Sequence, residues 1–427
     1  MLHSIPNVYT FPRHLLLLVL FIPSLSSYGW ESWNVSGFAS IGAGKLDRED
    51  LTFIDFDNEW GLDSDSVVGI QASSDINDRW TFISQVVANG YAYNEDDAYT
   101  PELEWLLFQY RYSPDTQYRF GRIRNPHYFY SNTLEVGYTY TWVRPSVNAY
   151  PLFLAPFKHV DGADITYYTS LGGMDLEIQS ILGRTSSEYE GSEIDAHYLV
   201  GANILAHWNE YSFRFSAQHI NVSIKAPSFN QLKQGFIATA NNFSAQPDTQ
   251  DAFQQVVNAF EAKRQPVSYL SIGGAWEKYR WTLMSEVMHF RSADRNFAND
   301  TDGYYISASY QWGRVSPYIT LGEYHNRFSD DIQEKIDQTE NFIPQGADAD
   351  LDALRAQTKF AFNQFNAEQE TLALGFRYDF HPKADFKFEV EYFNFINGTS
   401  GNMYPDDLTQ PRPGDALLTS FVIDVVF

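Results

Sequence analysis

The chain has 427 residues, a formal charge of −25, no cysteine and 17% aromatic residues, with 28 Tyr and 33 Phe. This excludes a disulfide scaffold and any cysteine-based metal site or nucleophile, and the acidic balance speaks against nucleic acid, whose phosphates need clustered Lys and Arg. The length exceeds one ordinary soluble domain, yet nothing inside reads as a linker, and so many aromatics suit a surface where a ring meets lipid at one end and water at the other.

In chain order, the first predicted element joins Arg13 and His14 to the apolar run 15–22 and the small residues from Pro23 to Gly29. A basic start, a short apolar run and a small-residue cleavage region predict a secretory signal peptide. It covers 1–29 with cleavage near 26–29, leaving 30–427 as a single domain. The apolar run falls short of the roughly 20 residues that a membrane-spanning helix requires, and no later segment is apolar enough to span as a helix. An exported chain can still live in a membrane as a closed barrel, which pairs every backbone N–H and C=O between strands.

From Trp33 onward, apolar and polar residues alternate with period 2. The predicted strands are 33–41, 66–75, 79–91, 103–113, 117–124, 162–169, 174–184, 197–208, 211–222, 266–276, 280–291, 303–313, 315–326, 369–379, 385–395 and 416–427, sixteen in all. In 211–222, Tyr211, Phe213, Phe215 and Ala217 oppose Ser212, Arg214, Ser216 and Gln218. The joins alternate between tight turns, such as Leu171-Gly172-Gly173 and Asn209-Glu210, and long loops at 44–65, 92–102, 125–161, 185–196, 223–265, 292–302, 327–368 and 396–415. An even strand count with long outer loops and short turns predicts an all-β fold, a transmembrane antiparallel β-barrel. A soluble sandwich gives no reason for that alternation. Arg111, Arg214, Arg377 and Lys387 fall on the polar face, where they avoid the roughly 2–4 kcal/mol that Lys or Arg costs on the lipid face near the midplane. An apolar outside and a charged inside predict a water-filled lumen, and sixteen strands leave room for one.

The final predicted strand sets Leu417, Thr419, Phe421, Ile423 and Val425 on one face and ends on Phe427. With this terminal aromatic, the alternating loops and the step Phe120-Gly121-Arg122 ahead of the long third outer loop, the chain resembles the sixteen-stranded porins of Gram-negative outer membranes. The resemblance implies residence in the bacterial outer membrane, contact with the lipid bilayer and lipopolysaccharide, a homotrimer, and passive diffusion of small hydrophilic solutes without a cofactor. It also implies that the third outer loop folds into the lumen as a constriction opposite wall arginines. The acidic Pro-Glu-Phe-Gly-Gly tip of the general porins' loop has no counterpart here.

The region 117–161 is a basic island in an acidic chain, with Arg119, Arg122, Arg124, His127, Arg144, Lys158 and His159 against Glu135 and Asp161. It is also rich in aromatics from Tyr128 to Phe153, so it is expected to lie against the barrel wall and not in water. Basic rings at a constriction favour anions, and guanidinium grips carboxylate or phosphate in two-point fashion. The expected constriction residues are Arg119, Arg122, Arg124, Arg144, Lys158 and Arg111, giving an anion bias. Alternation points Arg119 inward and leaves Arg122 and Arg124 on the face of Tyr118 and Phe120, and a bulge at Gly121 would turn Arg122 inward.

The remaining signals are weaker. The acidic run from Asp47 to Asp65 reads as a solvated loop, and Asp348, Asp350 and Asp352 lack the Gly and distal Glu of a calcium loop. Helix-like stretches from Thr249 to Lys263 and Asp350 to Phe365 fall within outer loops, where they would cap the mouth or reach a neighbouring subunit. No nucleophile elbow, zinc helix or phosphate-cradling glycine loop occurs, so neither a metal nor an enzymatic activity is expected. A substrate-specific channel for phosphate or an organic acid would use the same arginines. An outer-membrane enzyme would need a Ser-His-Asn or Asp-His set, for which there is no candidate.

Overall fold

A computed structural model describes residues 33–91, 98–189, 191–260, 262–292, 300–327, 331–363, 366–405 and 414–427, and the predicted signal peptide lies outside them. The strands are β1 (Trp33–Leu46), β2 (Val67–Asp75), β3 (Trp80–Asn89), β4 (Glu102–Ser113), β5 (Thr116–Arg124), β6 (His159–Leu171), β7 (Met174–Tyr189) and β8 (Ser192–Trp208). They continue with β9 (Tyr211–Lys225), β10 (Ala262–Lys278), β11 (Trp281–Ser292), β12 (Asp300–Tyr310), β13 (Val315–Arg327), β14 (Ala367–His381), β15 (Ala384–Phe395) and β16 (Asp415–Val426). Each pairs antiparallel with its neighbours in sequence, and β16 pairs with β1 to close the barrel.

The period-2 pattern sorts the side chains onto two walls. Ile41, Ile70, Phe108, Phe120, Leu182, Phe213, Ile272, Ile306, Leu321, Leu374 and Ile423 are exposed on the outside. An exposed apolar surface running round the whole molecule is far larger than a water-soluble monomer carries, and it is a lipid-facing surface. Near the tight turns it is edged by aromatic pairs, Trp80 with Tyr110 and Trp281 with Tyr310, each with ring centroids 4.8 Å apart. Those rings form the interfacial girdle expected of an outer-membrane barrel.

Several strands run past their predicted ends. β7 and β8 continue to Tyr189 and from Ser192, so the fourth outer loop, expected over 185–196, is far shorter. Thr185, Ile194 and Ala196 of this extension are buried, and the ladder continues past a register shift between Gly183 and Thr185 that breaks the strict alternation. The predicted helical stretches are α2 (Pro247–Ala259) and α4 (Ala349–Asn363), joined by α1 (Asn230–Asn242) and α3 (Asp331–Gln338). All four, from two outer loops, share a core of Phe229, Phe236, Phe253, Phe260, Ile332, Ile336, Leu351 and Phe362. The first and eighth outer loops join through Leu51–Thr52 and Tyr404–Pro405.

Gly37 extends the closing ladder to the last residue. Its N–H donates to Phe427 O at 3.0 Å and its carbonyl accepts from Phe427 N at 2.9 Å. The Phe427 ring lies where a Cβ would stand, 2.4 Å from that position. Gly37→Val must push the ring aside, and overpacking of this kind costs about 1–3 kcal/mol. The expected result is a lower urea midpoint and a lower folded fraction by heat-modifiable gel mobility, and an unchanged midpoint would remove the terminal ring from the closure.

Candidate functional site

The chain between β5 and β6, residues 125–158, touches the buried face of most of the barrel. Pro126 O accepts from Arg214 Nη2 at 3.0 Å and Ser216 Oγ at 3.1 Å, and His127 O accepts from Ser271 Oγ at 2.8 Å. Phe129 N donates to Glu286 at 3.0 Å, and Trp142 Nε1 donates to Ser307 Oγ at 2.8 Å. Asn148 Nδ2 donates to Thr371 Oγ1 at 2.7 Å. Lys387 Nζ donates to Gly137 O at 2.6 Å, and Tyr138 Oη reaches Pro382 O, in the turn between β14 and β15, at 2.8 Å. Apart from Pro382, these partners stand on the face of the strands opposite the lipid-facing residues.

That wall is not open to water along its length. Tyr269, Met284, Glu286, Met288, Tyr305, Ser307, Tyr318, Thr320, Thr371, Lys387, Glu389 and Asp424 are all buried. Tyr128, Tyr140, Trp142, Tyr150, Leu154 and Phe157 of 125–158 form one cluster with Tyr269, Met284, Met288, Tyr305 and Tyr318. Tyr128 stacks on Tyr150 with centroids 4.1 Å apart, and Trp142 meets Tyr305 edge-on at 5.7 Å. Such pairs contribute about 0.5–1.5 kcal/mol each beyond the area they bury. These inward-facing residues are packed, because the rings of 125–158 bury apolar area against them.

The predicted site residues separate. Arg119 Nη2 lies 2.5 Å from Asp164 on β6. Arg124 pairs with Glu104 at 3.2 Å and with Glu135, and Lys158 pairs with Glu104 at 2.5 Å and Glu102 at 2.7 Å. Arg144 meets Asp65 at 2.5 Å and Ser420 Oγ at 2.7 Å, with Glu389 and Glu391 at 3.7 and 3.8 Å. Desolvation lowers the affinity of its guanidinium for a proton, but these carboxylates outweigh it and raise it.

Arg122 is a correction. Gly121 has φ +129°, yet the ladder stays in register on both sides. Arg122 therefore remains on the face of the exposed Leu106 and Phe120 and pairs with Asp161 at 2.8 Å on the outside. Arg111 sits opposite Gln117, beside the tight turn, and is exposed with no ion pair among the described residues. Neither stands with the other four. The wall carboxylates Asp164, Glu104, Glu389 and Glu391 were missed as partners. The inward parity of Asp164, Glu389 and Glu391 was readable, whereas Glu104 shares the parity of the exposed Leu106 and Phe108 and is buried at the residue that the β3–β4 ladder skips. Which cation each one meets depends on register and on the loop's path.

His127 is fully enclosed, and Asn125 Nδ2 donates to its Nε2 at 3.2 Å. Burial, with Arg214 and Arg124 nearby, holds its proton affinity down to about 3. A histidine depressed below its usual value near 6.5 contributes stability as the neutral ring. That contribution is complete above about 6.5 and is lost as the pH falls from there towards about 3. The barrel is expected to melt at a lower temperature at pH 5 than at pH 7, with the difference reduced in His127→Gln. An equal difference in the variant would assign the acid sensitivity elsewhere.

No protein-family model and no characterised protein sequence matches the chain. Solved structures match it in shape. An anion-selective porin from Comamonas acidovorans superposes with a TM-score of 0.53 and 11% identity, over 93% of this chain and 99% of that one. OmpF of Salmonella typhi in complex with daunomycin gives 0.53 and 12%, over 94% and 99%. The outer membrane protein OmpT of Vibrio cholerae, in its trimer form, gives 0.51 and 9%, over 93% and 99%. At such identities the likeness concerns the fold, and it agrees with the strand count, the closure and the lipid-facing girdle. The chain has the sixteen-stranded barrel fold of the Gram-negative outer-membrane porins.

Proposed function

We propose that this is a porin of the bacterial outer membrane whose third outer loop lies inside the barrel and restricts a passive path for small hydrophilic solutes. The observation that carries this reading is the burial of the inner wall beneath residues 125–158. The path would open along the hydroxyl-bearing wall positions Ser271, Ser307, Thr320, Thr371 and Ser420 when the loop gives way. Export by a signal peptide, contact with lipopolysaccharide around the outer rim and assembly as a homotrimer fit the same reading, and the Vibrio cholerae structure is of a trimer. No covalent step is part of it.

The paired arginines change the expected selectivity. A cation beside its own carboxylate presents little net field to a passing ion, so Arg119, Arg124, Arg144 and Lys158 supply structure more than anion preference. Removing one of them exposes its partner. In bilayers with a salt gradient, Arg119→Gln leaves Asp164 without its cation and is expected to move the reversal potential towards cations. Arg122→Gln is the control, because the Arg122–Asp161 pair faces outward, and it is expected to change nothing. Equal shifts in the two variants would refute this placement of charge.

A further inference from the structure

Buried cations are normally held by carboxylates, because an unpaired charge away from water is costly. Among the described residues, the buried lysines and arginines are Arg124, Arg214, Arg355 and Lys387. Arg124 meets Glu104 and Glu135, Arg355 meets Asp352, and Lys387 meets Asp424. Arg214 is different. It is 8% exposed and makes no ion pair among the described residues. Its Nη2 donates to Pro126 O, and its Nε–H reaches no acceptor. Glu286 stands at the same level two strands along, across Gly273. Its oxygens are already taken by Tyr150 Oη, Tyr305 Oη and Phe129 N.

A second group beside Arg214 is also without partners. Asn203 on β8 stands opposite Ser216, one diagonal step from Arg214 on the same face, a spacing that long side chains bridge. It is 3% exposed, and neither its Oδ1 nor its Nδ2 has a hydrogen-bond partner. On its other side is Gln179, whose Nε2 is committed to Asp164 at 2.7 Å. An idle guanidinium edge and an idle amide thus share one patch of the inner wall, close to the turn at Asn209 and Glu210. Buried polar groups without partners mark a place for water or a ligand.

We infer that Arg214 and Asn203 form a binding subsite for a small monocarboxylate bearing a hydroxyl next to its carboxyl carbon. The carboxylate accepts from Arg214 Nε–H and Asn203 Nδ2 and supplies a counter-charge in direct contact, which Glu286 across Gly273 does not. The hydroxyl then donates to Asn203 Oδ1, a hydrogen bond that a halide cannot make. This deepens the channel reading by naming a solute class, and it uses an arginine outside the basic island of 117–161.

Calorimetric titration of the full mature barrel in detergent with lactate tests it. Saturable binding is expected, weakened at least tenfold in both Asn203→Leu and Arg214→Gln. Acetate is expected to bind more weakly than lactate. Arg214→Gln also loosens Pro126, so Asn203→Leu, which breaks no protein hydrogen bond, is the variant that separates binding from folding. Absence of lactate binding, or binding unchanged in Asn203→Leu, overturns the subsite and leaves ordered water as the occupant. Specific lactate binding by a barrel that conducts no ions would support the subsite while overturning the channel reading.

Discussion

Replacing residues 128–155 with a short Gly-Ser link is expected to raise single-channel conductance several-fold. The cylinder of a sixteen-strand barrel is wide enough for an aqueous channel, and side chains of that segment pack with buried strand residues such as Tyr269, Met288 and Tyr305. The barrel ladder runs through strand–strand hydrogen bonds that the replacement leaves intact. A gentler variant displaces the loop without cutting it. Gly303 on β12 has no side chain, and a Cβ there would stand 1.7 Å from Asn148 O. Gly303→Leu must therefore drive residue 148 off the wall and break its bonds to Thr371 and Gln369. Conductance should rise in both variants, by less in Gly303→Leu. If both conduct as the parent does, the segment is not what limits the path.

Lys387→Met is expected to destabilise the barrel by about 3–5 kcal/mol, the usual cost of removing one partner from a buried ion pair. The Lys387 ammonium is wholly buried, 2.9 Å from Asp424 and 4.5 Å from the centre of the Tyr140 ring. Asp424 stands directly across the ladder from Asp385, which Arg377 holds at 3.1 Å, and Ser40 Oγ donates to Asp424. Without the ammonium, two carboxylates face each other with one cation between them. The loop also loses its anchor at Gly137 O. Urea unfolding in detergent gives the measurement, and Asp424→Asn in the Lys387→Met background should recover most of the loss. A drop below about 1 kcal/mol would mean that water reaches the pair and shields it.

Strand positions were legible because their cause is local. Tyr211, Phe213 and Phe215 alternate with Ser212, Arg214 and Ser216 whatever lies elsewhere in the chain, and β9 forms there. The helices α2 and α4 were visible in composition. α1 and α3 were not, since their shared core needs two loops about seventy residues apart to meet. The basic island was visible too, but its meaning was not. Arg119 and Asp164 are 45 residues apart, and Arg144 and Ser420 are 276 apart.

By itself the sequence determined a closed barrel, which residues face lipid and which face inward, and where the tight turns and long loops fall. Side-chain period and turn chemistry act between near neighbours, so they can be read along the chain. Only the tertiary structure decided that Arg122 stays outside, that Arg119, Arg124, Arg144 and Lys158 meet carboxylates, and that Arg214 does not. Those outcomes depend on ladder register and on the course of residues 125–158 across many strands, and no local pattern encodes which charges come within 4 Å of one another.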